Sequence, residues 1–206
     1  MQTVKRRAGF TLVEVLAVIV ILSILMAVLV TRLGGLGEAA DIRATRALLL
    51  NYAIAISEYE SEFGDYPPSE LEDEWGATNT TNAGVEALVL SLWSNEWEGT
   101  SLSVEDLVNL DGDFSKTEVS EVLGKELFEL ADRWGNPVAY IHHRDYGRKD
   151  NYQTEDPETG ELIESTVIAR PGRTGSYAEP RKFQLISAGP DGEFGTEDDI
   201  TSFKTQ

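Results

Sequence analysis

The 206 residues carry 36 Asp and Glu against 17 Lys and Arg, with two His and no Cys, for a formal charge of -19. That surplus argues against direct nucleic-acid binding, because holding phosphate backbones takes a basic stripe that releases counterions. The lack of Cys removes disulfides, thiolate metal sites and Cys nucleophiles, while 41% hydrophobic residues suffice for one folded domain with appendages.

The apolar residues are unevenly spread. From Phe10 to Val30 only Thr11, Glu14 and Ser23 are polar. At about 1.5 Å per residue a helix of this length just crosses a bilayer's hydrocarbon core. The preceding residues carry Lys5, Arg6 and Arg7, so the positive-inside rule keeps that end cytoplasmic and exports the rest. Residues 1–30 hold three basic groups against one acid, which leaves residues 31–206 at -21. A removable signal peptide is the competing reading, but the run is long for one and Thr31-Arg32-Leu33 offers no small-x-small cleavage site. Glu14 inside such a span costs roughly 2.5–3.5 kcal/mol on insertion scales, which makes it a functional candidate; the plainer reading is that it sits at headgroup depth, only four residues inside the run.

Lys5-Arg6-Arg7-Ala8-Gly9 followed by Phe10-Thr11-Leu12-Val13-Glu14 resembles the class III signal of type IV pilins and type II secretion pseudopilins. The resemblance implies a membrane prepilin peptidase that cuts between Gly9 and Phe10 and methylates the new Phe10 terminus. It also implies that Glu14, then the fifth residue, pairs with the terminal amine of a neighbouring subunit. An ammonium and a carboxylate, each costly alone in lipid, become tolerable as a pair between packed helices.

Past the apolar run, Gly34, Gly35 and Gly37 soften the helix by about 1 kcal/mol each relative to Ala. Leu49, Tyr52, Ile56, Tyr59 and Phe63 then form one stripe on a 3.6-residue period. One long helix from about Phe10 to Phe63 is expected, its stripe packed on the protein's own globular part. Gly64-Asp65-Tyr66-Pro67-Pro68 ends it. Residues 69–83 read as an acidic, polar loop, Gly84–Trp93 as a second helix and Lys116–Ala131 as a third. Between the last two, Leu110-Asp111-Gly112-Asp113-Phe114-Ser115 begins like a calcium loop. Lys116 and Val122 stand where the EF-hand needs its Gly and bidentate Glu, so an Asp-Gly turn is expected.

Val138–His142 and Phe183–Ser187 are apolar runs fit for strands, with Ser165–Ala169 a weaker third. The intervening 144–180, rich in Gly, Pro and charge, reads as an insertion or mobile loop. Adjacent His142 and His143 on a strand would point to opposite faces, which disfavours a shared metal. No P-loop, dinucleotide fingerprint or GxSxG motif occurs, so no enzymatic activity is expected. Asp132-Arg133-Trp134-Gly135-Asn136-Pro137-Val138 resembles the Asp-Pro-Trp-Gly-Asn-Pro-Tyr signature of type II secretion major pseudopilins, departing at Arg133 and Val138.

Asp191 to Asp199 packs five carboxylates into nine residues, with glycines at 189, 192 and 195. Composition alone leaves a solvated acidic turn and a metal site level. For a metal, an all-oxygen set without His or Cys suits calcium over zinc or copper. The segment Ser187–Ile200 resembles the calcium loop of the major pseudopilins. That resemblance implies Ca2+ held by the Ala188 carbonyl and by Asp191, Asp198 and Asp199, with Glu193 and Thr196 as possible extra ligands.

The fold expected is α+β and pilin-like: a long N-terminal helix, membrane-spanning in its first half, packed on a small antiparallel sheet with extra short helices. The layout is a 1–9 leader, a 10–30 transmembrane and filament-core helix, its 31–63 continuation, and a 64–206 periplasmic head with insertions near 69–83, 93–126 and 144–180. The function implied is a pseudopilus subunit for type II secretion, anchored by a single pass in the inner membrane and then assembled in the periplasm. Its implied partners are further copies of itself, minor pseudopilins, the peptidase, the assembly platform and lipid. The alternative is a type IV pilin or minor pilin of a surface filament serving adhesion, motility or DNA uptake.

Overall fold

The computed structural model describes residues 12–72, 75–93, 102–121, 123–172 and 175–203, with the side chains of 27–36 left out. Helix α1 runs unbroken from Leu12 to Phe63, including the glycine-rich stretch, as the long helical pattern requires. The side chains of Leu12 to Met26 are all exposed. Among the described residues no helix is long and apolar enough to cross a membrane. Gly9 and Phe10 lie outside the described residues.

The chain divides into two compact units, Met1–Ala40 and Asp41–Gln206. In the second unit the stripe of α1 does what its spacing predicts. Leu49, Tyr52 and Ile56 are fully buried, and Tyr59 packs against the core beside the half-exposed Phe63. Each of these large side chains contributes about 1.5–3 kcal/mol by leaving water. Tyr52 also donates its hydroxyl to the Ala131 carbonyl at 2.7 Å, so its polar end is satisfied inside the core.

Helix α2, Ala83–Leu92, matches the expected second helix and is buried nearly all round. The sheets are small and antiparallel. Strand β1 (Leu107–Val108) pairs with β2 (Glu129–Leu130). Strands β3 (Ala139–His142), β6 (Phe183–Ser187) and β7 (Ile200–Thr201) form a three-stranded sheet with β6 in the middle. Strands β4 (Asp150–Glu155) and β5 (Leu162–Val167) make a hairpin. β3 and β6 are buried along their whole length, which explains why they read as continuous apolar runs.

The structure corrects three sequence readings. The helix expected over Lys116–Ala131 is absent among the described residues. Val119 donates its N–H to the Gly124 carbonyl and Gly124 to Ser120, around a turn where Gly124 has φ +64°, and β2 follows. Val119, Leu123, Leu127 and Leu130 are nevertheless buried, so their helical spacing served a folded-over segment. Residues 144–180, expected as an insertion or mobile loop, contain the β4–β5 hairpin. Finally, His142 and His143 do not diverge, because the strand ends and a 3-10 turn begins at His143, leaving the ring centroids 4.3 Å apart.

Candidate functional site

The C-terminal acidic loop lies between β6 and β7, and three contacts from outside hold it, through Asp132, Thr154 and Arg170. At its start, Ser187 donates its hydroxyl to Asp132 Oδ2 at 2.6 Å and accepts the Gly189 N–H at 3.1 Å. Asp132 Oδ1 accepts the N–H groups of Trp134 and Asn136 at 2.9 and 3.0 Å. The signature at 132–137 is therefore a tight turn closed by its own carboxylate, whose second oxygen reaches the acidic loop. Burial pushes the Asp132 carboxyl above the usual carboxylate range, and these hydrogen bonds oppose that shift.

The β4–β5 hairpin is tied first to that turn and then to the loop. Asn136 accepts the Glu155 N–H at 2.7 Å and donates to the Glu155 carbonyl at 2.9 Å, an amide locked on one backbone position. Thr154 donates to the Gly192 carbonyl at 2.6 Å. At the end of the loop Arg170, which follows β5, pairs with Asp199. Asp199 also accepts the Gly195 N–H at 3.1 Å.

Inside the loop, Ala188 is fully buried. Gly189 has φ +74°, and a Cβ there would lie 2.5 Å from the Asp198 carbonyl oxygen, so the two ends of the loop abut. Asp191 Oδ1 caps the Glu193 N–H at 2.8 Å, and Asp198 Oδ1 accepts from the Thr196 hydroxyl. Ala188, Asp191 and Asp198, expected as calcium ligands, thus sit in one loop of close backbone and Gly turns, where both carboxylates accept hydrogen bonds from the loop itself. Asp199, the fourth expected ligand, is paired with Arg170.

The N-terminal feature is described only from Leu12 onward. Glu14 lies in the first turn of α1 and is exposed.

A second acidic group joins Asp111, read in the sequence as part of an Asp-Gly turn, to Glu86 and Glu129, which the sequence reading did not single out. Ligand oxygens of Glu86, Asp111 and Glu129 lie within 4.8 Å of one another. Glu86, Glu129 and the adjacent Asp113 are buried, with Asp111 half-buried. Burial first, then mutual repulsion, pushes Glu86 up to about 10 and Asp113 to about 7. Glu129 rises to about 8, held back by its bond from Asn82. The available signal was Glu86, a lone acid among Val85, Ala87, Leu88 and Val89 on a helix apolar on every side.

Residues 4–30 match the prokaryotic N-terminal methylation motif. The chain is 29% identical over 203 residues to type II secretion system core protein G of Escherichia coli (strain K12), covering 98% of this chain and 95% of the relative. The chain is homologous to type II secretion system core protein G. The protein of that name in Aeromonas hydrophila is 28% identical over 196 residues, with 95% and 92% of the two chains covered. No solved structure matches. Because the homology runs from the methylation motif through the head, it takes in the 132–137 turn and the acidic loop that the turn braces.

Proposed function

We propose that the chain is a structural, non-catalytic subunit of the pseudopilus that drives protein secretion across the outer membrane in a type II secretion system. The observation that carries this is the methylation motif at 4–30 joined to homology with core protein G over nearly the full length. Residues 1–9 form the leader and residues 10–30 the membrane span, with the head exported to the periplasm. After removal of the leader the net charge becomes -22, because three basic residues leave and no acid does. The apolar helix is then transferred from lipid to the filament core, where it packs against copies of itself and minor pseudopilins. Glu14 pairs with the Phe10 amine of a neighbouring subunit, which sets the axial register at assembly. Calcium at Ala188, Asp191, Asp198 and Asp199 pins the C-terminal loop and stabilises the head by mass action.

Processing is tested by intact mass and terminal fragmentation of the chain isolated from cells containing a prepilin peptidase. The expected product starts at a methylated Phe10. An intact Met1, or a terminus after Ala27, contradicts the proposal. A surface-pilus role would show instead as loss of pili, with secretion unchanged, when the gene is deleted.

A further inference from the structure

We infer that the head carries a second divalent-cation site, an oxygen-lined calcium site formed by Glu86 of α2, Asp111 and Asp113 of the Asp-Gly-Asp turn, and Glu129 of β2. It lies apart from the C-terminal loop and does not depend on the pseudopilus reading.

Two independent observations carry it. The first is the gathering of ligand oxygens from Glu86, Asp111 and Glu129 within 4.8 Å of one another. Calcium binds oxygen at about 2.3–2.6 Å, so ligands on opposite sides of one ion are separated by about 4.6–5.2 Å. The second is the state of Glu86 itself. It is 0% exposed, both its carboxyl oxygens lack a hydrogen-bond partner, and one of them points into the cluster. Asp113, 1% exposed, likewise has no partner for either oxygen.

Leaving so many buried acceptors unmatched costs about 1–3 kcal/mol each, and more when charged, so something must satisfy them. A positive side chain does not: among the described residues no ion pair reaches the four acids. Protons alone are a poor substitute, although Asp111 and Glu129 are placed to share one. A carboxyl that shares a proton with a carboxylate lies about 2.5–2.7 Å from it, and neither Glu86 nor Asp113 has such a neighbour. A cation supplies charge and coordination together.

The surroundings are built to hold the acids in place. Asn82 donates to Glu129 Oε1 at 2.8 Å, and the Leu110 N–H donates to Oε2 at 3.2 Å. Asn82 also accepts the Gln153 N–H at 3.0 Å, fixing its amide. Asn109 bonds Asp113 through both backbone groups, its Oδ1 accepting the N–H at 3.1 Å and its Nδ2 donating to the carbonyl at 3.0 Å. Gln153 donates to the Leu110 carbonyl at 3.3 Å. Bonds of this kind orient ligands from outside the coordination sphere. Asp111 is half-buried as a residue, but both its carboxylate oxygens are buried and without a hydrogen-bond partner, as those of Glu86 and Asp113 are. With no His or Cys among the ligands, a hard cation is favoured. Bound there, it ties α2, the 111–113 turn and β2 together.

The test uses the full chain in detergent, stripped with EDTA and titrated with CaCl2 or MgCl2. Calcium per chain and melting temperature are read for wild type, Asp198→Ala, and Asp198→Ala combined with Glu86→Gln. Asp198→Ala is expected to retain one bound calcium and a calcium-dependent rise in melting temperature. Adding Glu86→Gln, which keeps the shape and removes the charge, is expected to abolish both. If that variant does not fold, Asp113→Asn replaces it. The inference is overturned if Asp198→Ala binds no calcium, if neither amide variant lowers the calcium count, or if magnesium alone elicits the response.

Discussion

Glu86 shows how one residue can be out of keeping with its helix and still be explained. Its neighbours bury apolar surface, whereas it buries a carboxyl beside three others. Without cations the folded head holds protons that the unfolded chain has released, because the carboxyls of Glu86, Glu129 and Asp113 are all raised. The sign follows from proton uptake. Between the ordinary carboxylate value near 4.5 and the folded values of about 7 to 10, the native state binds more protons, so stability falls as pH rises. In EDTA, urea unfolding is expected to give a head less stable at pH 9 than at pH 5. Glu86→Gln should flatten that slope. A slope that is unchanged in the variant would contradict the electrostatic account of the cluster.

At the scale of elements, the acidic loop is only as good as its braces. Gly189 is where the two ends of the loop come closest. An Ala there adds a left-handed backbone cost of about 1–2 kcal/mol to an overpacking cost of about 1–3 kcal/mol. Gly189→Ala is therefore expected to destabilise the head by roughly 2–5 kcal/mol in urea and to weaken calcium binding at the loop. Gly112 also has positive φ, but a Cβ there meets nothing within 4 Å. Gly112→Ala should then cost only about 1–2 kcal/mol. Equal losses for the two would contradict the close approach to Asp198.

These elements also divide what sequence could reveal from what it could not. The stripe Leu49-Tyr52-Ile56, helix α2 and strands β3 and β6 were legible because each follows a period or an unbroken apolar run. The third helix was misread because Val119, Leu123, Leu127 and Leu130 face the core from a doubled-back segment at spacings a helix would also give. The C-terminal acids were legible as a cluster because they are neighbours in sequence. Glu86, Asp111 and Glu129 come from three elements, and only the fold brings them together. The function of the 132–137 signature was equally hidden, since its Asp132 acts on Ser187, 55 positions away.

At the scale of the whole molecule, the charge and the apolar surface divide along the chain. Exposed apolar side chains crowd α1 from Leu12 to Met26, while the acid surplus belongs to residues 31–206. A contiguous exposed apolar surface of this kind marks an interaction site, and the proposal assigns it to lipid and then to neighbouring helices. Zero Cys means that the head is braced without disulfides, and the acids are the groups through which cations can brace it instead. The central claim, a subunit whose packed helices drive secretion, is tested most directly by assaying secreted proteins in the culture medium after deletion of the gene. The account predicts that they are retained in the periplasm. Their release should be restored by the wild-type chain but not by Glu14→Ala, which loses the partner for the Phe10 amine. Undiminished release from the deletion strain would contradict it.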